Sequence, residues 1–244
     1  MLNKKCIRLV VAILGMSMLL TACDEQTPPS YNYKIDMESY ENAINVKDES
    51  YLILVNKENP CGADHVPKSL SGLPVRLTLY GKDWSLESNA ALAAEALVLE
   101  LHARGYEDIV ISSAYRDYAY QQMLFNNSLR EEKADHPDWT EEQCRAEVLT
   151  ELALPGQSEH QTGLCVDLIS TKKAKPTLDE TFADNPAYAW LVENAHNFGF
   201  ILRYPKGKEG ITGYSYEPWH YRFVGVEAAT AIHEQGITLE EYLK

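Results

Sequence analysis

Three residues of this chain combine metal-ligand chemistry with a workable spacing: His160, Asp167 and His220. Imidazole and carboxylate are donors of the kind a catalytic zinc uses, with three protein ligands and a fourth position left for water. Seven residues of extended chain would span more than ~20 Å at ~3.3 Å each, too far for His160 and Asp167 to share one ion. The turn-forming run Gln161-Thr162-Gly163 can reverse the chain and bring the imidazole back over the strand that carries Asp167. Glu217 stands three residues before His220 and is followed by Pro218, whose ring restricts φ. A carboxylate fixed there could accept a proton from an activated water without itself ligating, so the chemistry on offer is metal-assisted hydrolysis.

Other chemistries find less support. Ser170-Thr-Lys-Lys173 matches the S-x-x-K string of serine peptidases, but no K-T-G or K-S-G accompanies it, and the only S-x-N of that type, Ser30-Tyr-Asn32, lies near the N-terminus. His233-Glu234 lacks the second histidine that H-E-x-x-H requires. A cysteine nucleophile at Cys144 or Cys165 paired with His160 is conceivable, yet Cys165 falls inside a strand between ligand candidates. His65, His102, His136, His196 and His233 sit in polar or helical contexts that suit solvated or structural imidazoles.

The elements that must position these residues can be traced along the chain. Tyr51 to Val55 reads as a short strand, followed by a loop with Pro60, Cys61 and Pro67. Leu86 to Arg104 has apolar residues at helical spacing and Gly105 where a helix would stop. Asp108 to Ser113 reads as a buried strand, and Asp117 to Glu131 as the helix after it. Thr140-Glu-Glu-Gln143 has the form of a capping box, which predicts a helix from Glu141 to Leu152, ended by Pro155-Gly156. Leu164 to Ile169 is a strand, and Asn185-Pro186 opens a helix to Phe198, closed by Gly199. Phe200 to Arg203 and Trp219 to Val224 are two more strands, with a last helix from Val226 to Gly236. Helices come mostly early and strands mostly late, without β-α alternation, so the pattern is α+β.

The N-terminus reads as an address. Met1 to Cys23 has a basic start (Lys4, Lys5, Arg8), an apolar run of 12 residues from Leu9 to Leu20, and the lipobox Leu20-Thr21-Ala22-Cys23. That run is too short to cross ~30 Å of hydrocarbon as a helix, which needs about 20 residues. The pattern resembles a bacterial lipoprotein, with Cys23 acylated as the new first residue and the protein held on the outer face of the cytoplasmic membrane. Residues 24–50 would form the tether and opening segment, and 51–244 the catalytic domain. From Asp24 onward 19 basic residues face 36 acidic ones, a net −17, which excludes nucleic acid as a partner. Of five cysteines, Cys61, Cys144 and Cys165 remain in the exported domain. Three cannot all pair, and a Cys61–Cys144 or Cys144–Cys165 disulfide and free thiols are equally open. None has zinc-type C-x-x-C spacing.

Ser158-x-His160 with six residues before Asp167, then Glu217-x-x-His220, preceded by Ser113-Ala-Tyr-Arg116, resembles the zinc D,D-carboxypeptidases of the VanY and D-alanyl-D-alanine dipeptidase group. Their fold is shared with the hedgehog signalling domain. The resemblance runs from residue 51 to 235, with Val55-Asn-Lys57 and Pro67 as its opening signature. It implies a small antiparallel sheet with helices packed on it, zinc held by His160, Asp167 and His220, and Glu217 as general base and then acid. It also implies that Arg116 faces the scissile carbonyl oxygen, and that Ser158 and Gln157 contact the substrate's terminal D-alanine. Cys165 departs from the small alanine common in the family. The implied substrate is a peptidoglycan stem peptide, and the chain is expected to act as a monomer. Trimming of tetrapeptides by an L,D-carboxypeptidase and non-catalytic binding of wall peptide are the competing expectations.

Overall fold

The computed structural model describes residues 31–244. The export signal, the lipobox and Cys23 lie outside the described residues. The compact unit begins at Tyr33, earlier than the expected boundary at residue 51. Its first residues are tied down because the buried carboxylate of Glu100 accepts the backbone N–H groups of Lys34 (2.8 Å) and Ile35 (3.1 Å), while the Tyr33 ring packs edge-on against Phe198.

Helix α1 (Glu41–Ile44) precedes two short antiparallel strands, β1 (Leu70–Gly72) and β2 (Ser85–Glu87). Helix α2 (Ser88–Ala103) follows at once, its first N–H groups capped by the Glu87 carboxylate. Ala90, Ala93, Ala94 and Ala96 are fully buried, and their small side chains let α2 sit close against strand β3 (Ile109–Ser113). Asp117 caps α3 (Tyr118–Asp135), and the Thr140–Gln143 capping box opens α4 (Glu141–Glu151) where the sequence places it. Strand β4 (Cys165–Ser170) leads to α5 (Pro186–Asn194), capped by Asn185. The expected helix to Phe198 tightens into a 3-10 turn over Ala195–Phe198 before Gly199, which has φ 78°. Strand β5 (Phe200–Leu202), the single turn α6 (Glu209–Thr212) and strand β6 (His220–Phe223) follow. The chain finishes with α7 (Val226–Gln235) and α8 (Leu239–Tyr242), the latter opened by a second capping box, Thr238 with Glu241.

The four longer-range strands form one antiparallel sheet in the order β3-β4-β6-β5. Its register divides the chemistry by face. Asp167 lies opposite His220, and Cys165 opposite Arg222, which in turn pairs with Ile201. Directly paired residues share a face, and side chains alternate along a strand. One face therefore carries Asp167, Cys165, His220 and Arg222, and the other carries Val166, Leu168, Tyr221 and Phe223, all buried. Against Ile201 pack Val224, Ala228, Ala229, Ile232 and Leu239 from the C-terminal helices and their approach.

The expected strand at Tyr51–Val55 does not form. Glu49–Leu52 is a 3-10 turn capped by Asp48. The carbonyls of Tyr51 and Ile53 accept instead from the Arg222 guanidinium, at 3.0 and 2.8 Å, and the Tyr51 ring meets Phe223 edge-on. Cys61, Cys144 and Cys165 are free thiols, so neither disulfide is present. No helix among the described residues is long and apolar enough to cross a membrane.

Candidate metal centre and active site

The reversal between His160 and Asp167 is a 3-10 turn, Glu159–Thr162, ended by Gly163 at φ 68°. Glycine is needed there, because a Cβ would meet Pro67 Cγ at 2.9 Å and the Glu87 nitrogen at 3.1 Å, and L side chains rarely adopt this backbone. The turn lays His160 over β4, and the neighbouring strand β6 presents His220.

His160 Nε2 lies 3.1 Å from Asp167 Oδ2, and His220 Nδ1 lies 3.0 Å from Asp167 Oδ1. Donors about 2.1 Å from one tetrahedral ion stand roughly 3.4 Å from each other, so this trio is close to the geometry a single zinc imposes. The outer nitrogens fix which atoms face inward. His160 Nδ1 is 2.6 Å from the Ala114 carbonyl oxygen, which only accepts, so that nitrogen carries the proton and Nε2 is left to bind. For His220 the roles are reversed: Nε2 faces Glu159 Oε2 at 3.6 Å, and Nδ1 faces Asp167. Burial alone would raise the Asp167 carboxyl, but the adjacent imidazoles outweigh it and hold it well below the usual carboxylate range. Cys165 is fully buried beside them, and its sulfur, with one nitrogen from each of His160 and His220, also falls within a 4.8 Å cluster.

Glu217 Oε2 is 3.6 Å from His220 Nδ1, on the same side as Asp167. Burial pushes its carboxyl up to about 7, against the pull of His220. A carboxylate poised near neutrality can both take and return a proton. Glu159, next to His160 in sequence, differs in every respect. It is wholly buried, and Arg203 and Arg222 overcome the effect of burial to hold it well below the ordinary carboxylate range.

All of this opens on a cleft of about 520 Å³, lined among others by Arg116, Ser158, Tyr204, Tyr214, Glu217 and Trp219. Arg116 follows β3; its backbone N–H donates to the His160 carbonyl oxygen, and its guanidinium donates to Ser113 Oγ at 3.2 Å. No salt bridge joins it to any described residue, and its buried Nε has no hydrogen-bond partner among them, so the fork is available to an oxygen in the cleft. Ser158 lines the cleft beside the metal trio. Gln157 does not: its amide donates to the Lys57 carbonyl oxygen at 3.3 Å, and its own carbonyl accepts from Tyr214 at 2.9 Å.

Sequence reasoning passed over Arg203 and Arg222, both fully buried, and Tyr204, whose ring lies 4.9 Å from that of His220. The signal for Arg222 was present in the alternation His220-Tyr-Arg-Phe223, which puts it on the ligand's face.

Comparison with known proteins places this geometry in context. A family model described as VanY, D-alanyl-D-alanine carboxypeptidase, matches residues 83–226. A D-alanyl-D-alanine carboxypeptidase of Enterococcus faecalis is 41% identical over 197 residues, covering 81% of this chain and 67% of that protein. A crystal structure of a vancomycin-resistance D,D-pentapeptidase VanY in complex with Zn(II) superposes with a TM-score of 0.67 at 38% identity, over 80% of this chain and 100% of that one. VanYB in complex with D-alanine-D-alanine gives a TM-score of 0.65 at 39% identity, over 79% and 97%.

Proposed function

Because this chain belongs to the VanY family of D-alanyl-D-alanine carboxypeptidases, we infer that it removes the C-terminal D-alanine from peptidoglycan stem peptides with one zinc ion held by His160, Asp167 and His220. The observation that carries the assignment of residues is the convergence of two imidazole nitrogens on the two oxygens of Asp167 at 3.0 and 3.1 Å, beside Glu217 in an open cleft. Zinc held there supplies Lewis acidity to a water and to the scissile carbonyl.

The chain's own residues do the rest. Glu217 accepts a proton from the water as its oxygen attacks the carbonyl carbon, and returns that proton to the nitrogen of the departing D-alanine. Arg116 donates to the carbonyl oxygen as negative charge develops on it. Ser158, at the cleft wall, contacts the terminal D-alanine; the Gln157 side chain is engaged by the Lys57 carbonyl oxygen, and its backbone carbonyl by Tyr214. His160 is held in a single tautomer by the Ala114 carbonyl oxygen, so this ligand needs little rearrangement to receive the ion.

The place of action follows from the leader and the substrate. Peptidoglycan lies outside the cytoplasmic membrane, and the basic start, apolar run and Cys23 lipobox support export and lipid anchoring there. A single chain contains every group in the mechanism, which supports a monomer.

The deciding experiment is mass spectrometry of defined pentapeptide and tetrapeptide stems after incubation with the purified protein. Loss of one alanine from the pentapeptide, abolished by chelator and insensitive to β-lactams, is the expected result. Cleavage of the tetrapeptide alone would reassign the enzyme as an L,D-carboxypeptidase. Cleavage of neither would leave a wall-peptide-binding lipoprotein.

A further inference from the structure

We propose that Glu159 is the positioning residue for His220, and that a buried chain of charges running through Arg203 ties this metal ligand to the C-terminal helix α8. The proposal rests on the zinc reading above. Glu159 Oε2 and His220 Nε2 face each other at 3.6 Å, and both are buried without a hydrogen-bond partner among the described residues. The gap is too narrow for a water, so a shift of a few tenths of an ångström satisfies both atoms at once. An imidazole that binds metal through Nδ1 presents an N–H at Nε2, and a carboxylate there fixes its tautomer and orientation and strengthens it as a ligand.

The other oxygen of Glu159 anchors it. Oε1 accepts from Arg203 Nε at 2.8 Å and from Arg222 Nη1 at 2.7 Å. Arg203 then forks onto Glu240 of α8, with Nη2 to Oε1 at 2.6 Å and Nη1 to Oε2 at 2.9 Å. Arg222 spends its remaining donors on the carbonyls of Tyr51, Ile53 and Phe223. Both guanidiniums are completely buried. Apolar side chains of similar volume would serve stability as well or better, since desolvation consumes most of the attraction between buried charges. What apolar packing cannot supply is an anionic acceptor aimed at the back of a metal ligand. Geometry also sets Glu159 apart from Glu217: its side chain is wholly buried, and its Oε1 is taken by Arg203 and Arg222.

The test measures binding of Zn(II) by competition with a chromogenic chelator, and the visible spectrum of the Co(II)-substituted protein, alongside near-ultraviolet circular dichroism of the metal-free form. Wild-type protein that binds no zinc would overturn the zinc reading itself. With wild type binding, Glu159→Gln is expected to weaken zinc by about 10–100-fold and to shift the Co(II) bands, which report ligand orientation rather than overall charge. Glu240→Gln, remote from the ion, is expected to weaken zinc in the same direction by a smaller factor while keeping the fold. Wild-type affinity and spectrum in both variants would reduce the cluster to packing and overturn the proposal. Weakening in Glu159→Gln with Glu240→Gln unchanged would overturn the link to α8. Should Glu159→Gln fail to fold, Glu240→Gln decides: weaker zinc in a folded protein supports the chain of charges, and unchanged zinc overturns it.

Discussion

Glu159 and Glu217 approach the same imidazole from opposite edges: Glu217 Oε2 is 3.6 Å from Nδ1 of His220, and Glu159 Oε2 is 3.6 Å from Nε2. Equal distance hides opposite electrostatics. Glu217 has no arginine bonded to it among the described residues and is pushed up by burial to about 7, whereas Glu159 is held ionised by Arg203 and Arg222. On the function proposed above, the pair would divide the work, with Glu217 exchanging protons and Glu159 holding still.

The first prediction follows from that division. Glu217→Gln preserves size and polarity but cannot accept a proton, so zinc content should stay at wild-type level while turnover falls by at least ~100-fold, the lower end for general acid–base catalysis. Metal analysis and a D-alanine release assay on the same preparation check both halves. Wild-type turnover would remove Glu217 from the mechanism.

A second concerns pH. Only the ionised Glu217 accepts a proton, so kcat/KM should rise with pH through the carboxyl's pKa and fall about tenfold per unit below it. Burial raises that pKa from 4.5 to about 7 in the metal-free protein, and the positive charge of bound zinc pulls it back down. The acid limb of the loaded enzyme is thus expected between 4.5 and 7. A kcat/KM profile flat across this window would show that Glu217 is not the titrating base.

Arg116 provides the third. Its fork is uncommitted to any carboxylate among the described residues, and loss of one oxyanion donor typically costs ~2.7–4 kcal/mol, so Arg116→Ala should lower turnover by about 100- to 1,000-fold. Arg116→Lys keeps charge without the planar fork and should fall between. Zinc content and melting temperature should stay near wild type. A rise in KM alone would move its role to gripping the substrate carboxylate.

The fourth separates two candidate ligands on the same face of β4. Asp167 places an oxygen about 3 Å from each imidazole nitrogen, whereas Cys165 belongs to the next row, opposite Arg222. Asp167→Ala should lose most of the zinc, and Cys165→Ala should keep both zinc and activity. The reverse outcome, read by metal analysis, would make the thiol the third ligand.

A fifth tests the turn that makes the site possible. Gly163→Ala forces an L side chain into a left-handed backbone, at about 1–2 kcal/mol, and drives its Cβ against Pro67 and Glu87. The melting temperature should drop, and zinc should bind more weakly because His160 rides on the same turn.

What the sequence determined by itself was local. The donor types at His160, Asp167, Glu217 and His220, the reversal at Gly163, and the caps at Thr140 and Asn185 are fixed by side-chain chemistry within a few residues, and all of them stand in the structure as written. Tertiary structure decided what depends on distant partners. Tyr51 to Val55 had the composition of a strand, but Arg222, remote in sequence, takes its carbonyls. Residues 33–35 had the composition of a tether, but the buried Glu100 carboxylate needs their N–H groups. Glu159 could be suspected as a base because it adjoins a ligand in sequence. Its direction was set by β5, β6 and α8, which bring Arg203, Arg222 and Glu240 together behind His220. Ligand identity is a property of a side chain, and sequence carries it. The orientation and charge state of a buried group belong to its neighbours in space, and only the packed sheet supplies those.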